Sequence, residues 1–263
     1  MKKKVNKLKR HLKFWLKYLK KEGSLPSFIV VGTVKGGTTS LYSYLAQHKS
    51  VRPAFTKELF YFYDTDKGSL NRGLRWYKSN FATEKDLKNR NQITGEASAP
   101  YFYYPKAALE MKKTIPDAKF VVLLRNPINK LFSHYQMMIH GGYTKKSFEE
   151  IVDPIFVDGI ESKKTPWINQ SNYVPQIKHW LEVFPDRNQT LFIKSEDFFE
   201  NPQKVFNKVC GFLNIENQKI DVTPKNQGGY KEKIKPETKE KLKEVFKEHN
   251  KEVVEILGEE FHW

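Results

Sequence analysis

The stretch Gly32-Thr33-Val34-Lys35-Gly36-Gly37-Thr38-Thr39-Ser40 follows the apolar run FIVV at 28–31 and leads into residues of helical periodicity. Gly36 and Gly37 permit tight backbone curvature and positive φ. Successive N–H groups of such a turn point into one concavity and bind an anion, and a helix starting near Thr38 adds its positive end. Lys35 supplies a cation, and Thr38, Thr39 and Ser40 supply hydroxyl donors. Residues of these types at this spacing suit a phosphate cradle; a plain glycine-rich strand-to-helix turn is the alternative.

The cradle differs from that of an ATPase. Gly32 and Gly37 have the spacing of a G-x-x-x-x-G-K-[ST] loop, but Thr38 stands where the lysine belongs, and Lys35 precedes the glycine pair. In nucleoside triphosphatases that lysine reaches the β- and γ-phosphates and the following hydroxyl holds Mg²⁺. The displaced lysine points to a different anion, at the 5′ end of a nucleotide with fewer phosphates. A second anion signal lies downstream. The run FVVLL at 120–124 ends in Arg125-Asn126-Pro127, and Ser133 follows two turns into the next helical segment. A guanidinium and a hydroxyl so placed can grip one phosphate from two sides.

The elements that must position these residues are legible in outline. Unalternating apolar runs at 28–31 and 120–124 predict strands buried on both faces, as in a parallel sheet. Shorter strands are expected at 93–95 and 191–193, and helices at 40–47, 129–139, 173–183, 202–213 and 237–257, the last ended by Gly258. Strands alternating with helices imply an α/β fold, a central parallel β-sheet flanked by helices. In such sheets, function gathers at the carboxyl ends of strands, where both anion signals fall. Residues 141–172 lack clear periodicity and predict a long loop over one face.

Composition bounds the partners. The 263 residues carry a net charge of +16, with 39% hydrophobic and 14% aromatic residues, as in a globular chain. Residues 1–21 hold nine lysines, one arginine and no acid, which leaves the remainder at +6. A modestly basic body suits a cleft for a small anionic ligand and argues against a surface that tracks nucleic acid. The single cysteine, Cys210, permits no intrachain disulfide, which favours a reducing, cytoplasmic location. No run approaches ~20 consecutive apolar residues, so no transmembrane helix is expected. Val5, Leu8, Leu12, Trp15, Leu16 and Leu19 form an apolar stripe among the N-terminal lysines. A basic amphipathic helix over residues 1–22 either lies on the inner face of an anionic membrane or serves as a solubilising or core-docking element.

The glycine turn and the Arg…Ser pair together resemble the sulfotransferases that use 3′-phosphoadenosine 5′-phosphosulfate (PAPS). Thr56-Lys57-Glu58-Leu59-Phe60-Tyr61-Phe62 is similar to the Lys-Glu-x-x-Phe-Phe segment of their heparan-sulfate-type branch, and Gly95-Glu96-Ala97-Ser98-Ala99-Pro100-Tyr101 to its Gly-Glu-x-(Ser/Thr)-Pro-x-Tyr segment, shifted at Ala99-Pro100. The resemblance implies a single P-loop-like domain over 26–263. It implies that Lys35, Gly36, Gly37, Thr38, Thr39 and Ser40 bind the 5′-phosphosulfate, and that Arg125 and Ser133 bind the 3′-phosphate. It further implies no metal requirement, adenosine 3′,5′-bisphosphate as product, and a carbohydrate or glycoconjugate acceptor contacted by Lys57, Phe60 and Tyr101. The nucleotide-gripping Lys-Gly-Arg loop of the family is missing; Gly228, Gly229, Tyr230 and Lys231 are its expected substitutes. The vertebrate Golgi members carry a membrane anchor and usually a disulfide. This lysine-rich, cysteine-poor sequence more closely resembles soluble bacterial members.

The resemblance implies that Glu58 takes the acceptor's proton and that Lys35 stabilises the leaving phosphate. An ordinary ion pair with Lys57 is the alternative for Glu58, and His48 and His134 are alternative bases, with His134 also read as structural. Of the aromatics, Phe60 to Tyr63, Trp76, Tyr77 and Tyr101 to Tyr104 either line an acceptor groove or fill the core. Two other function classes compete: an ATP- and Mg²⁺-dependent kinase, and a non-catalytic module binding membrane or nucleic acid through residues 1–21.

Overall fold

A computed structural model describes residues 22–63, 70–160, 166–223 and 233–263. The expected N-terminal helix and the substitutes Gly228, Gly229, Tyr230 and Lys231 lie outside the described residues. Among the described residues, no helix is long and apolar enough to cross a membrane.

Among the described residues, five strands form one parallel sheet: β1 (Phe28–Gly32), β2 (Val51–Pro53), β3 (Ile93–Ala97), β4 (Lys119–Leu124) and β5 (Thr190–Lys194). Their order is β2-β3-β1-β4-β5, so β1 lies centrally between β3 and β4. The chain leaves β1 to build one side of the sheet, then crosses over to build the other. This reversal opens a crevice at the carboxyl ends of β1 and its neighbours, where doubly wound sheets bind ligands.

The helices are α1 (Thr38–Leu45), α2 (Gly73–Lys78), α3 (Glu84–Arg90), α4 (Pro105–Thr114), α5 (Pro127–His140), α6 (Phe148–Asp158), α7 (Pro166–Asn169), α8 (Tyr173–Val183), α9 (Ser195–Glu200), α10 (Pro202–Phe212) and α11 (Pro236–Leu257). Every residue of β1 is buried, because both faces of the sheet are covered. Ile29, Val31, Phe120 and Val122 pack with Ala107, Met111, Ile177 and Trp180 of α4 and α8. Phe28, Val30, Val121 and Leu123 pack with Leu41, Leu45, Phe206 and Val209 of α1 and α10. Alternate residues of each strand thus feed opposite cores, which explains why the two runs are apolar throughout.

The segment expected as one long loop is corrected by α6. Ser147 Oγ accepts from Glu150 N (3.2 Å) and Glu150 Oε2 accepts from Ser147 N (2.7 Å), a complete capping box. Phe148, Ile151, Val152 and Ile155 then form an apolar stripe against Leu131 and Tyr135 of α5 and Leu242 and Phe246 of α11. Pro154 inside the helix obscured this pattern, since an interior proline ordinarily argues for a break. Strand β2 was not foreseen either: it has three residues, ends in Pro53 and lies at the sheet edge, where proline is tolerated.

Candidate active site

The glycine turn is pinned to the neighbouring strand. Thr33 donates to Leu123 O through both its N–H (2.9 Å) and its Oγ1 (2.8 Å), and Gly36 N donates to Thr33 O (2.9 Å). Ser195 Oγ at the start of α9 donates to Gly36 O (2.8 Å). A Cβ on Gly36 would lie 2.7 Å from Leu123 O, so the turn seats on β4 only with no side chain there. Gly37 adopts φ 101° and α1 begins immediately after it, with no side chain capping its amino end. Uncapped first-turn amides favour an anion.

Lys35 and Arg125 converge on this turn. Lys35 sits at φ 68°, a left-handed conformation that costs a non-glycine residue roughly 1–2 kcal/mol. Arg125 Nη1 donates to Lys35 O (3.2 Å), while Tyr173 Oη donates to Arg125 O (2.8 Å). The guanidinium carbon lies 5.4 Å from the Phe199 ring centroid. Arg125 Nε is buried with no hydrogen-bond partner among the described residues. Burial lowers the pKa of the Lys35 ammonium, and the nearby Arg125 charge lowers it further. Arg125 is itself shifted down by burial, against the opposing pull of Glu196. Cations held at such a cost, one with a spare donor, are poised for an anion. Ser133 lies half-buried on α5, the helix that follows Arg125. Asn126 caps that helix, accepting from Ile128 N (3.0 Å) and Asn129 N (3.2 Å).

The candidate base lies at the end of β3, the strand on the other side of β1. Glu58 N donates to Ala97 O (2.9 Å) at the end of β3, and Ser98 N donates to Val30 O (3.1 Å) on β1. Both sequence readings of Glu58 are present at once: Oε1 accepts from Lys57 Nζ, while Oε2 is buried with no hydrogen-bond partner among the described residues. Glu58 (φ 60°) and Phe60 (φ 51°) are both left-handed, so this short segment is held in a strained shape.

The remaining expectations divide. Phe60 is half-exposed, with its ring 6.0 Å from that of Tyr63. Tyr101, expected at the acceptor, is instead fully buried; its hydroxyl donates inward to Glu96 Oε1 (3.4 Å), so it supports the site without lining it. Tyr61, Phe62 and Tyr77 are likewise core residues, and Tyr61 stacks on Tyr77 at 4.2 Å. His48 is tied down at both nitrogens, Nε2 to Glu216 O (2.8 Å) and Nδ1 to Ser50 N (3.0 Å), which gives it a structural role. His134 is pushed down to about 4 by burial, then by the Lys130 and Lys35 charges, so it is a neutral, feeble base at pH 7. Among the described residues, no group of three or more His, Cys, Asp or Glu side chains gathers as metal ligands.

Sequence reasoning did not assign roles to Glu96, Glu196 or Phe199. Glu196 Oε1 accepts from Asn126 N (3.0 Å) and Oε2 from Trp263 Nε1 (3.0 Å), which binds the chain's last residue behind the Arg125 turn. The signal for Glu96 was available: a carboxylate inside a short apolar strand needs partners.

The family profile described as "Sulfotransferase domain" matches residues 25–254. The bifunctional heparan sulfate N-deacetylase/N-sulfotransferase of Drosophila melanogaster is 28% identical over 226 residues, covering 79% of this chain and 21% of that protein. Human heparan sulfate glucosamine 3-O-sulfotransferase 3A1 is 29% identical over 197 residues, covering 74% of this chain and 46% of that protein. The chain therefore spans from about a fifth to about half of the curated relatives it matches. A crystal structure of a sulfotransferase from Alicyclobacillus acidocaldarius superimposes with a TM-score of 0.68 at 26% identity, covering 89% of this chain and 96% of that one. With the profile running through β1 to β5, the glycine turn and the turn at Arg125, the chain belongs to the sulfotransferase domain family.

Proposed function

We propose that this protein transfers a sulfuryl group from PAPS to a hydroxyl or amine of a carbohydrate or glycoconjugate acceptor. The observation that carries the reading is the junction of Arg125 with the glycine turn that leads into an uncapped helix, the Arg125 Nε being buried with no partner among the described residues. The residues fit a donor with two separate anionic ends. The first-turn amides of α1 and Lys35 hold the 5′ end, while Arg125 with Ser133 holds the 3′-phosphate. The donor supplies the sulfuryl group itself.

Positioning and charge stabilisation carry a transfer of this kind. Lys35 offsets negative charge that grows on the departing phosphate oxygen. Glu58 takes the acceptor's proton at Oε2, the oxygen not engaged by Lys57. A kinase reading requires a lysine where Thr38 stands, and Thr38 is buried at the start of α1. The relatives whose names specify N-sulfation and 3-O-sulfation of heparan sulfate support a glucosamine-containing glycan as acceptor. Peripheral attachment to an anionic membrane through the ten cationic residues of 1–21, on the cytoplasmic side, belongs to the same proposal.

Thermal shift with adenosine 3′,5′-bisphosphate in chelator, beside ATP with Mg²⁺, tests the donor. A ligand at ~100 times its Kd adds ~2.7 kcal/mol of stability. Stabilisation by the bisphosphate is expected; a response to ATP with Mg²⁺ alone overturns the reading. Transfer of labelled sulfate to de-N-sulfated and to N-sulfated heparan sulfate then separates amine from hydroxyl acceptors.

A further inference from the structure

We propose that Glu96 is a positioning residue for Glu58: it fixes the Glu58 segment through Ser98 and Tyr101, whose hydroxyls hold the Phe60 and Phe62 amides. The inference rests on the reading of Glu58 as the general base.

Glu96 lies on β3 with no solvent exposure. Its partners are all hydroxyls: Oε1 accepts from Tyr77 Oη (2.7 Å) and Tyr101 Oη (3.4 Å), and Oε2 accepts from Ser98 Oγ (2.8 Å). Two of those hydroxyls pass the restraint onward. Ser98 Oγ accepts from Phe60 N (3.3 Å), and Tyr101 Oη accepts from Phe62 N (3.4 Å). The amides just beyond Glu58 therefore hang from groups that Glu96 orients, while the amide of Glu58 is held by Ala97, the next residue of the strand. A segment with two left-handed non-glycine residues needs such anchoring to keep one shape.

Burial pushes the Glu96 carboxyl up to about 7, with the hydrogen bonds from Tyr77, Ser98 and Tyr101 opposing the rise and the nearby Glu58 charge adding to it. The groups facing Glu96 are Tyr77 from α2, Ser98 and Tyr101 from the turn after β3, Tyr42 from α1 and Glu58 from its own segment.

The test is amide hydrogen exchange of the full chain saturated with adenosine 3′,5′-bisphosphate, read beside kcat and KM on heparan sulfate. In Glu96→Ala, exchange at the Phe60 and Phe62 amides should accelerate; in Ser98→Ala, which cuts one tether and keeps Glu96, exchange at Phe60 should accelerate while Phe62 stays protected. In both variants kcat should fall while KM and bisphosphate affinity stay near those of the parent. Unchanged exchange at Phe60 in both variants overturns the proposal, as does accelerated exchange with kcat unchanged. Loss of bisphosphate binding in Ser98→Ala also overturns it, because the network would then serve the whole fold. Turnover of Glu58→Gln on heparan sulfate is measured separately: retained turnover sinks the general-base reading, while hydrogen exchange still reports on the tether.

Discussion

Arg125 Nη1 and Lys35 O lie 3.2 Å apart, which joins the glycine turn after β1 to the end of β4. The guanidinium spends one nitrogen on the turn and keeps a buried Nε in reserve. Its role therefore depends on its fork as well as its charge. Arg125→Ala should weaken adenosine 3′,5′-bisphosphate binding about a hundredfold, as expected for removing one partner of a buried charged contact. Arg125→Lys should recover only part of this, because a point charge cannot reproduce two directed donors. Calorimetric titration with AMP, which lacks the 3′-phosphate, is the control: its affinity should change far less than that of the bisphosphate in both variants.

Gly36 is the position where the turn tolerates no side chain. The nearest obstacle to a Cβ is a backbone oxygen, Leu123 O at 2.7 Å, which cannot swing aside. Gly36→Ala must therefore lift the turn off β4 and loosen the bonds that Thr33 makes to the same oxygen. Overpacking of this kind costs about 1–3 kcal/mol. Denaturant unfolding should show that loss, and bisphosphate affinity should fall along with it. Gly37→Ala differs in cause, since its φ of 101° rather than a backbone clash opposes the substitution.

How much of this was legible beforehand depended on how local the cause was. The central strands and the glycine turn were readable because β1 and β4 bury both faces, so their sequences carry an unbroken apolar signal. Arg125 was expected at a strand end and Ser133 on the helix that follows, and each lies there, after β4 and on α5. The role of Tyr101 was not readable: a tyrosine after a strand suits a groove or a core equally, and only the position of Glu96 beneath it decides. The Glu96 network joins α2, β3 and the Glu58 segment, and no single window of sequence contains it. Helix α6 was missed for a different reason, since its capping box was in plain view but Pro154 argued for a break.

Lys35 and Glu58 should separate cleanly in kinetics. Lys35 is proposed to act on charge that develops during transfer, so Lys35→Ala should lower kcat by about a hundredfold or more, the scale of losing one oxyanion-stabilising donor. Bisphosphate binding should fall less, because the α1 amides and Arg125 remain. Glu58→Gln should lower kcat by about 10²–10⁴, the usual contribution of a general base, with bisphosphate affinity unchanged. Rapid-quench measurement of sulfate transfer to heparan sulfate distinguishes the two. Near-normal turnover in either variant removes that residue from the mechanism.

The buried carboxyl of Glu96 also makes a prediction about stability against pH. Its folded pKa of about 7 lies above the ordinary carboxyl value of 4.5, so the folded state binds its proton more tightly than the unfolded chain does. Stability from this group is fully present below pH 4.5 and is lost as pH rises through 7. The full difference is roughly 3 kcal/mol, from about 1.4 kcal/mol per pH unit. Glu96→Gln has no such proton to lose. Urea unfolding of both proteins at pH 5 and pH 8 should show the variant gaining on the parent by a few kcal/mol at the higher pH. A gap that stays constant between the two pH values would mean that Glu96 ionises in the fold as readily as in the open chain, with its three hydroxyl partners offsetting the whole cost of burial.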